Sequence, residues 1–335
     1  MAELNALLLS DGKPGHYRLA EGIAAAIARR RAITLTRLDV TRPGWLPARA
    51  LCALTNRAAT AAYVPRLLEL GLHPVPACDL VVSGGGDTLA ANILLARAYG
   101  CINIFYGSLR RYRPSDFSLV LTSYAANAAR PNHAFAMKPS AFDPDGLGLR
   151  RLNALPDVTL GLLIGGDSGT VRYFDADWDR MLALLAHAPQ APRLIASNSR
   201  RTPPSVSDRI AALATHAAGR LRFIDVRQEG AAPLTQLLAA SDVVAVTVDS
   251  SSMISEAIWA RRPVVALAPR RAGLPALEQG YRDGLSRAGW LGSIALADGT
   301  TDAIIAAARA LTPLQDNPLD QLAGLLASRL PALFS

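Results

Sequence analysis

The segment from Asp242 to Glu256 constrains the fold of this chain more than any other part of the sequence. Its first half, Val243 to Val248, is an apolar and largely β-branched run, which is typical of a strand covered on both faces of a parallel sheet. The next four residues, Asp249 to Ser252, are of the types that cap helices, and backbone N–H groups at a helix start attract phosphate. An ordinary strand-to-helix connection with serine caps has the same pattern, so the segment predicts an α/β fold and nominates a phosphate site.

Glycine-rich turns follow predicted strands at the start of each half of the chain. Leu4 to Ser10 is an apolar strand that leads into the turn Asp11 to His16, and Leu160 to Ile164 leads into the turn Gly165 to Thr170. Each turn alone is weak evidence, because glycine occurs at turns in any α/β sheet. Their placement, one at the start of each half, favours two nucleotide-binding folds in one chain.

Length and composition agree with two domains of this kind. At 335 residues, 50% hydrophobic and 6% aromatic, the chain is too long for one ordinary core and suits an α/β protein built from alanine, leucine and valine. Predicted strands and helices alternate along both halves, which is the pattern of a doubly wound parallel sheet. We therefore predict one Rossmann-like domain over residues 1–145 and a second over residues 155–315.

Three further predictions concern the segments around these strands. Pro139 to Pro156 lacks periodicity and is predicted to be the linker. Leu46 to Leu72 is predicted to be a long helical region that breaks near Pro65. Residues 316–335 contain an amphipathic stretch, which we expect to form a helix that packs back on the first domain.

The sequence lacks the patterns of an exported, membrane-spanning or metal-binding protein. The start of the chain has no signal-peptide pattern, and no apolar run reaches the roughly 18 residues of a membrane span, so we expect a cytoplasmic protein. Cys52, Cys78 and Cys101 are few and widely spaced, which indicates neither a disulfide framework nor a zinc site.

The net charge of +8 comes almost wholly from arginine. Two clusters, Arg29 to Arg31 and Arg110 to Arg113, can meet an anionic surface. No nucleic-acid-binding motif accompanies them, so we expect no nucleic-acid partner. We expect peripheral contact with an anionic membrane, at the inner face of the cytoplasmic membrane.

Three motifs resemble known families. Ser10 to Gly15, Ser199 to Pro203 and Asp249 to Ala257 are similar to segments of the bacterial relatives of the plant mitochondrial fission factor, whose loss gives elongated mitochondria. The loop Asp11 to His16, the turn Gly165 to Gly169 and the donor-type segment Asp249 to Glu256 also resemble GT-B glycosyltransferases, in particular the lipid-II-forming N-acetylglucosaminyltransferase. The resemblance implies a GT-B-like fold, with two Rossmann-like domains facing a central cleft.

The resemblance also implies a function. It implies a transferase that moves a sugar from a nucleotide-sugar donor, expected to be UDP-linked, to a cell-envelope lipid or glycan acceptor without a metal or another cofactor. Two alternatives stay open. The plant family member is regarded as a recruiter of a dynamin-type fission machine, so a non-catalytic membrane-associated adaptor is one, and a nucleotide-sugar epimerase on the same fold is the other.

Candidate site residues follow from the chemistry of such a transfer. His16 is the candidate general base, because an imidazole with an ordinary pKa near 6.5 suits proton abstraction at neutral pH, and Asp11 is the alternative base. His16 could instead cap the first helix or contact phosphate. Arg200 and Arg201 suit diphosphate oxygens, although two surface arginines beside a turn would look the same. The other donor-side candidates are Lys13, Gly15, Gly165, Gly166, Ser168, Ser199, Asp249, Ser250, Ser251, Ser252 and, for the ribose, Glu256.

Overall fold

The computed structural model describes residues 3–57, 68–72, 74–149, 152, 158–186, 193–217, 219–229 and 233–335. The strands are β1 (Leu4–Ser10), β2 (Ile33–Thr41), β3 (Glu69–Leu70), β4 (Leu80–Gly84), β5 (Ile102–Tyr106), β6 (Leu119–Thr122), β7 (His133–Phe135), β8 (Thr159–Leu163), β9 (Val171–Arg172), β10 (Arg193–Ser197), β11 (Leu221–Ile224), β12 (Val243–Thr247), β13 (Val264–Ala268), β14 (Arg271–Ala272) and β15 (Leu291–Ala295). The helices are α1 (Pro14–Ala28), α2 (Ala48–Arg57), α3 (Leu89–Tyr99), α4 (Ala125–Ala128), α5 (Asp175–Ala186), α6 (Pro204–His216), α7 (Val226–Glu229), α8 (Pro233–Ala240), α9 (Ser251–Trp259), α10 (Ala276–Arg287), α11 (Thr301–Arg309) and α12 (Pro318–Arg329).

Unit 1 comprises Met1–Phe142 and Pro318–Ser335 and is built on a seven-stranded sheet. Its strand order is β3-β2-β1-β4-β5-β6-β7, and all neighbours pair in parallel except β2 with the short β3. Following the chain, the strands are added in one direction from β1 to β3 and in the opposite direction from β4 to β7. A ligand of such a sheet binds beyond the carboxyl ends of the two strands where the order reverses, here β1 and β4.

Unit 2 comprises Asp143–Asn317 and is built on a six-stranded sheet in which every pair is parallel. Its order is β11-β10-β8-β12-β13-β15, which is the 3-2-1-4-5-6 order of a Rossmann fold when its strands are counted along the chain. The order reverses between β8 and β12. The small strands β9 and β14 form a separate antiparallel pair.

The central strands are buried on both faces, as their uninterrupted apolar sequences require. All five residues of β4 and all five of β12 are buried. Helix α3 covers one face of the first sheet, with Leu89 to Ala96 buried. Its one polar core residue, Asn92, donates to Ser83 Oγ (2.9 Å) and to the Ile104 carbonyl (3.1 Å), so the amide pays no unsatisfied-donor cost.

The two units divide at Phe142, three residues before the predicted end of the first domain. The reason is local: the segment after Asp143 bonds to residues of unit 2. Arg261 pairs with Asp145 (3.0 Å) and donates to the Pro144 carbonyl (3.1 Å), and Asn317 donates to Asp143 Oδ1 (2.8 Å). Residues 139–142 of the predicted linker therefore belong to unit 1 and its described residues from Asp143 on belong to unit 2, whereas residues 150–151 and 153–156 lie outside the described residues.

Helical periodicity predicts two elements, one over residues 46–72 and one within residues 316–335. The predicted long helix over Leu46 to Leu72 is helical only over α2, residues 58–67 lie outside the described residues, and Glu69–Leu70 is the strand β3. The last helix, α12, packs against α1 of unit 1. Arg29 fixes it there by donating from Nε and Nη2 to the two carboxylate oxygens of Asp320 (2.7 and 3.0 Å).

Candidate functional site

Two side chains accept hydrogen bonds from the glycine turn after β8 and occupy the space beside it. The Gly165 N–H donates to Thr247 Oγ1 (2.7 Å), and the Gly166 N–H donates to Asp249 Oδ2 (3.2 Å). A Cβ on Gly165 would lie 2.1 Å from the Asp249 carboxylate, and one on Gly166 would lie 2.1 Å from the Arg201 carbonyl oxygen. A side chain at either position would prevent this close approach. Because both N–H groups already donate to Thr247 and Asp249, a phosphate must be bound by other donors.

The Asp249 carboxylate is the centre of this turn. Its side chain is 0% exposed, and it accepts hydrogen bonds from the Tyr173 hydroxyl (2.9 Å) and the Gly166 N–H and pairs with Arg201. Burial, and then the neighbouring negative charge of Asp249, raise the pKa of Tyr173, so this phenol stays protonated and keeps donating. Asp249 therefore positions the loops around it rather than facing a ligand.

The arginine pair after β10 is divided between two roles. Arg201 is tied to Asp249, and the Arg201 N–H donates to Ser199 Oγ (3.1 Å). Thr202 Oγ1 closes the turn by accepting from the Ser199 N–H (2.9 Å) and donating toward the Gly165 carbonyl (2.7 Å). Arg200 is exposed and makes no side-chain hydrogen bond or ion pair to any described residue. Arg200 is thus the member of the pair that can reach an anion.

The start of α9 supplies the backbone donors. Ser250 is its N-cap and accepts from the Met253 N–H (3.4 Å). The N–H groups of Ser251 and Ser252 occupy the first two helical positions, where no carbonyl of the helix can accept them, and Ser252 is exposed. Glu256 lies one turn further along the helix and is half-buried. This is the part of unit 2 that can cradle a phosphate.

A buried arginine lies behind this helix start, and no sequence motif indicates it. Arg282 on α10 donates from Nη1 to the Val248 carbonyl (2.6 Å) and from Nη2 to Ser251 Oγ (2.9 Å). Ser251 also contacts the Glu278 carboxylate, which lies 3.9 Å from Arg282. Burial lowers the pKa of Arg282 from its ordinary value, but an arginine pKa starts so high that the guanidinium keeps its charge.

In unit 1 the turn after β1 carries an imidazole oriented by a carboxylate. His16 Nδ1 lies 2.7 Å from Asp11 Oδ2, with the Asp11 side chain 4% exposed and the His16 side chain 36% exposed. Because an ionised carboxylate can only accept, Nδ1 carries the proton and Nε2 presents its lone pair. Asp11 is thereby the orienting partner of His16 rather than a second base.

Lys13 connects this turn to the turn after β4. Its ammonium lies 2.8 Å from Asp87 Oδ2 and 3.6 Å from Asp11 Oδ2. The hydrogen bond to Asp87 raises the pKa of Lys13, and the same bond lowers the pKa of Asp87. Both side chains are about half exposed, so solvent screens the pair and its energy is small. Gly15 is exposed and has open space around it.

Three consecutive glycines, the last residue of β4 and the two that follow it, let these side chains approach the sheet. A Cβ on Gly85 would lie 2.2 Å from His16 Nδ1, and one on Gly86 would lie 2.2 Å from the Arg110 guanidinium. Gly84 lies against the His16 carbonyl oxygen, 2.8 Å from where its Cβ would be. Gly85 also has φ +88°, which an L side chain rarely adopts. His16 and Arg110 thus flank two consecutive glycines.

The structure sorts the candidates into two groups, one at each switch point. Unit 1 brings together Asp11, Lys13 and His16, and with them Asp87 and Arg110. Unit 2 brings together Gly165, Gly166, Ser168, Ser199, Arg201, Asp249, Ser250 and Ser251, with Arg200, Ser252 and Glu256 around them. Lys13 and Gly15, expected on the donor side, belong to unit 1. The sequence analysis did not identify Tyr173, Thr247 and Arg282. These residues position other side chains or backbone groups, and no sequence motif marks such a role.

Within the described ranges, no three His, Cys, Asp or Glu side chains are grouped so that they could hold a metal ion. None of the helices in those ranges has the length and apolar character that crossing a bilayer requires. In the basic cluster Arg29 to Arg31, two side chains already bond to other residues of unit 1. Arg29 pairs with Asp320, and Arg31 Nη1 donates to the Leu333 carbonyl (2.9 Å).

A family model described as mitochondrial fission ELM1 matches residues 14–291 of the chain, a range that includes the switch point of unit 2 and, of the first switch point, His16 and the turn after β4 but not β1. None of the curated proteins compared with the sequence matches it.

Solved structures match over nearly the whole chain at low identity. A UDP-GlcNAc 2-epimerase from Methanocaldococcus jannaschii has a TM-score of 0.54 and 11% identity, covering 99% of this chain and 100% of its own. MurG from Acinetobacter baumannii has a TM-score of 0.50 and 13% identity, covering 97% and 99%. UGT89C1 from Arabidopsis thaliana, complexed with UDP, has a TM-score of 0.50 and 14% identity, covering 100% and 96%. At these identities the likeness shows the fold, which is GT-B-like with two Rossmann-like units, as the sequence predicts.

Proposed function

The chain belongs to the mitochondrial fission ELM1 family, and we propose that it transfers a sugar from a nucleotide-sugar donor to a cell-envelope lipid or glycan acceptor. The observation that carries the proposal is the Asp11–His16 pair at the switch point of unit 1. A histidine held in one tautomer by a buried carboxylate is the arrangement that makes imidazole a general base. A scaffold that only recruits a partner has no use for it.

The donor is assigned to unit 2. A nucleoside diphosphate would place its phosphates on the Ser251 and Ser252 N–H groups, where the helix dipole favours negative charge. Arg200 would reach the same oxygens from the turn after β10. Glu256 would accept from the ribose hydroxyls. Proteins with this fold include one complexed with UDP, which favours uracil as the base.

The chemical step needs a proton acceptor and a stabilised leaving group. The acceptor hydroxyl gives its proton to His16 Nε2, and its oxygen forms the new bond to the anomeric carbon of the sugar. The bond from that carbon to the diphosphate oxygen breaks, and the electron pair stays on the departing diphosphate. Arg200 and the start of α9 balance that charge, so the proposal requires no metal.

The proposed location is the cytoplasm, peripheral at the inner face of the cytoplasmic membrane. A lipid-linked acceptor would be reached there. The basic segment Arg110 to Arg113, with three arginines, supports this location, because juxtamembrane arginines gain roughly 1 kcal/mol each near an anionic leaflet.

A ligand screen followed by a turnover assay tests the proposal. Thermal unfolding is measured with UDP-, GDP-, ADP- and CMP-sugars, and a ligand at 100 times its Kd should stabilise the fold by about 2.7 kcal/mol. The stabilising sugar nucleotide is then given, radiolabelled, to membrane extract with the protein. Label in the lipid or glycan fraction supports the transferase. A converted sugar still attached to its nucleotide would identify an epimerase, and stabilisation by no sugar nucleotide would leave the adaptor.

A further inference from the structure

A cavity of about 300 Å³ opens in unit 1 beside the turn after β4. We call it the arginine pocket. It is lined by four arginines, one aspartate and a small apolar floor: Arg42, Arg49, Arg110, Arg111, Asp87, Ala48, Leu51, Cys52, Gly86 and Tyr112. It differs from the two groups of residues assigned to the donor and to the base, although it shares Asp87 and Arg110 with the second.

The charge of the pocket is strongly positive. Among the described lining residues Asp87 is the one carboxylate, and it lies 2.8 Å from Lys13 Nζ and 4.0 Å from Arg110 Nη1. Arg49 and Arg111 are exposed, and neither makes a side-chain hydrogen bond or ion pair to any described residue. Four arginines against one carboxylate give the lining an excess of positive charge, which attracts an anion.

The backbone around the pocket is shaped for this arrangement. Arg110 has φ +53°, a conformation that is uncommon for a residue with a side chain. Gly86 allows its guanidinium to lie against the turn, because a Cβ there would be 2.2 Å from Arg110 Cζ. The left-handed backbone at Arg110 and the glycine beside its guanidinium together fix where this positive charge lies. The preceding glycine, Gly85, is the residue that His16 contacts, so the pocket lies next to the base.

We infer that the arginine pocket binds a phosphate group carried by a lipid. A phosphate presents more oxygens and more charge than a carboxylate, and guanidinium forks match its geometry. The lipid part is indicated by the apolar surface at the same edge of unit 1: Trp45 is 71% exposed just before α2, and Leu54 on α2 is 44% exposed. An exposed tryptophan beside arginines is typical of a membrane interface. If the proposed function holds, this phosphate belongs to the acceptor, and that last step rests on the proposed function.

The test measures binding alone, without a nucleotide sugar. Full-length protein is sedimented with phosphatidylcholine vesicles that contain either phosphatidic acid or phosphatidylserine, at compositions adjusted to equal surface charge. We expect at least about tenfold tighter binding to the phosphatidic acid vesicles, because its phosphate monoester can enter the pocket, whereas matched charge equalises the nonspecific attraction. Inorganic phosphate, added as a competitor, should reduce that preference.

The variant that tests the pocket is the double substitution Arg49→Gln, Arg111→Gln. Both side chains are exposed and bond to no described residue, so the fold should stay intact, which thermal unfolding checks. It should bind the two kinds of vesicle equally. The charge-matched control Arg57→Gln, Arg130→Gln removes two exposed arginines of unit 1 that do not line the pocket and lie outside the segment Arg110 to Arg113, and it should keep the preference. Gly86→Ala, which displaces Arg110, should weaken it independently.

The outcomes separate the two sources of phosphate. A vesicle preference that the pocket variant abolishes supports the lipid. Binding of inorganic phosphate that the pocket variant abolishes, with no vesicle preference, overturns the lipid and leaves a soluble phosphate ligand. Equal vesicle binding together with no effect of inorganic phosphate overturns the site. Because no assay uses a nucleotide sugar or turnover, each result stands whether or not the protein is a transferase.

Discussion

The two switch points of this molecule are built alike and equipped differently. Both consist of a glycine turn after the first strand of the sheet and a second turn after the strand beside it, where the strand order reverses. In unit 1 the buried carboxylate, Asp11, has an imidazole as partner, and the imidazole is 36% exposed. In unit 2 the buried carboxylate, Asp249, is closed off by Tyr173, Gly166 and Arg201.

The difference shows how one fold can serve two chemical tasks. A carboxylate that orients a half-exposed histidine leaves a basic nitrogen facing solvent, which suits proton transfer. A carboxylate whose hydrogen-bond partners are all protein groups holds the surrounding loops in place and does not contact solvent, which suits a preorganised binding site. Loss of the Asp11–His16 pair should therefore lower turnover and leave stability unchanged. Loss of the Asp249 carboxylate should instead lower stability and leave turnover unchanged.

The largest expected effect is on turnover in unit 1. His16→Ala should lower the transfer rate by about 100- to 10,000-fold, because it removes the proposed general base, while leaving nucleotide affinity unchanged, since the proposed donor contacts lie in unit 2. Turnover of a radiolabelled nucleotide sugar and calorimetric nucleotide binding measure the two quantities. His216→Ala, at an exposed histidine on α6, is the control and should change neither. Equal transfer rates in wild type and the His16 variant would eliminate the base.

The second effect is on stability in unit 2. Asp249→Asn leaves Arg201 without its charged partner and weakens the bonds from Tyr173 and Gly166, so we expect a loss of about 2 to 3 kcal/mol. Asp179→Asn, at an exposed ion pair with Arg209, should cost less than about 1 kcal/mol. Urea unfolding followed by tryptophan fluorescence in a Trp45→Phe background reports unit 2, since the other three tryptophans lie there. Similar losses in the two variants would remove the distinction between a locked and an exposed carboxylate.

The sequence predicts the scaffold well, for a physical reason. Buried parallel strands require long β-branched runs, and the turns between strands and helices require glycine or capping residues, so β8, β12 and their turns were visible as patterns. The roles inside the sites were less visible. Arg200 and Arg201 are equivalent as letters, yet only Arg201 meets Asp249. Arg282 is 34 residues from the Val248 carbonyl that it binds, and periodicity holds no information on such contacts.

The third effect concerns nucleotide affinity and compares two changes at one position. Glu256→Ala should weaken nucleotide binding by about 1 to 3 kcal/mol, because ribose hydroxyls would lose their acceptor. Glu256→Gln keeps one carbonyl acceptor and should cost less. Calorimetric titration with the nucleotide found in the ligand screen measures both. If affinity is the same in all three proteins, the ribose does not lie at Glu256, and α9 contributes phosphate contacts alone.

The smallest effect is a pH dependence that belongs to unit 2. The Arg227 guanidinium, which donates to the Asp225 carboxylate, lowers the pKa of Asp225 to about 2. A carboxyl with a lower pKa in the folded state binds fewer protons there, so its stabilisation is complete above the unfolded pKa near 3.9 and is lost as the pH falls through about 2. Because Arg227 is partly exposed, solvent screening keeps the effect small. Unfolding free energies of wild type and Arg227→Gln, measured by tryptophan fluorescence, should therefore differ at pH 6 and converge toward pH 2. Arg209→Gln, at an ion pair with Asp179 in which both side chains are more than half exposed, is the control and should change the unfolding free energy little at either pH. A gap between wild type and Arg227→Gln that stays constant down to pH 2 would mean that Arg227 stabilises unit 2 by packing rather than through the charge of Asp225.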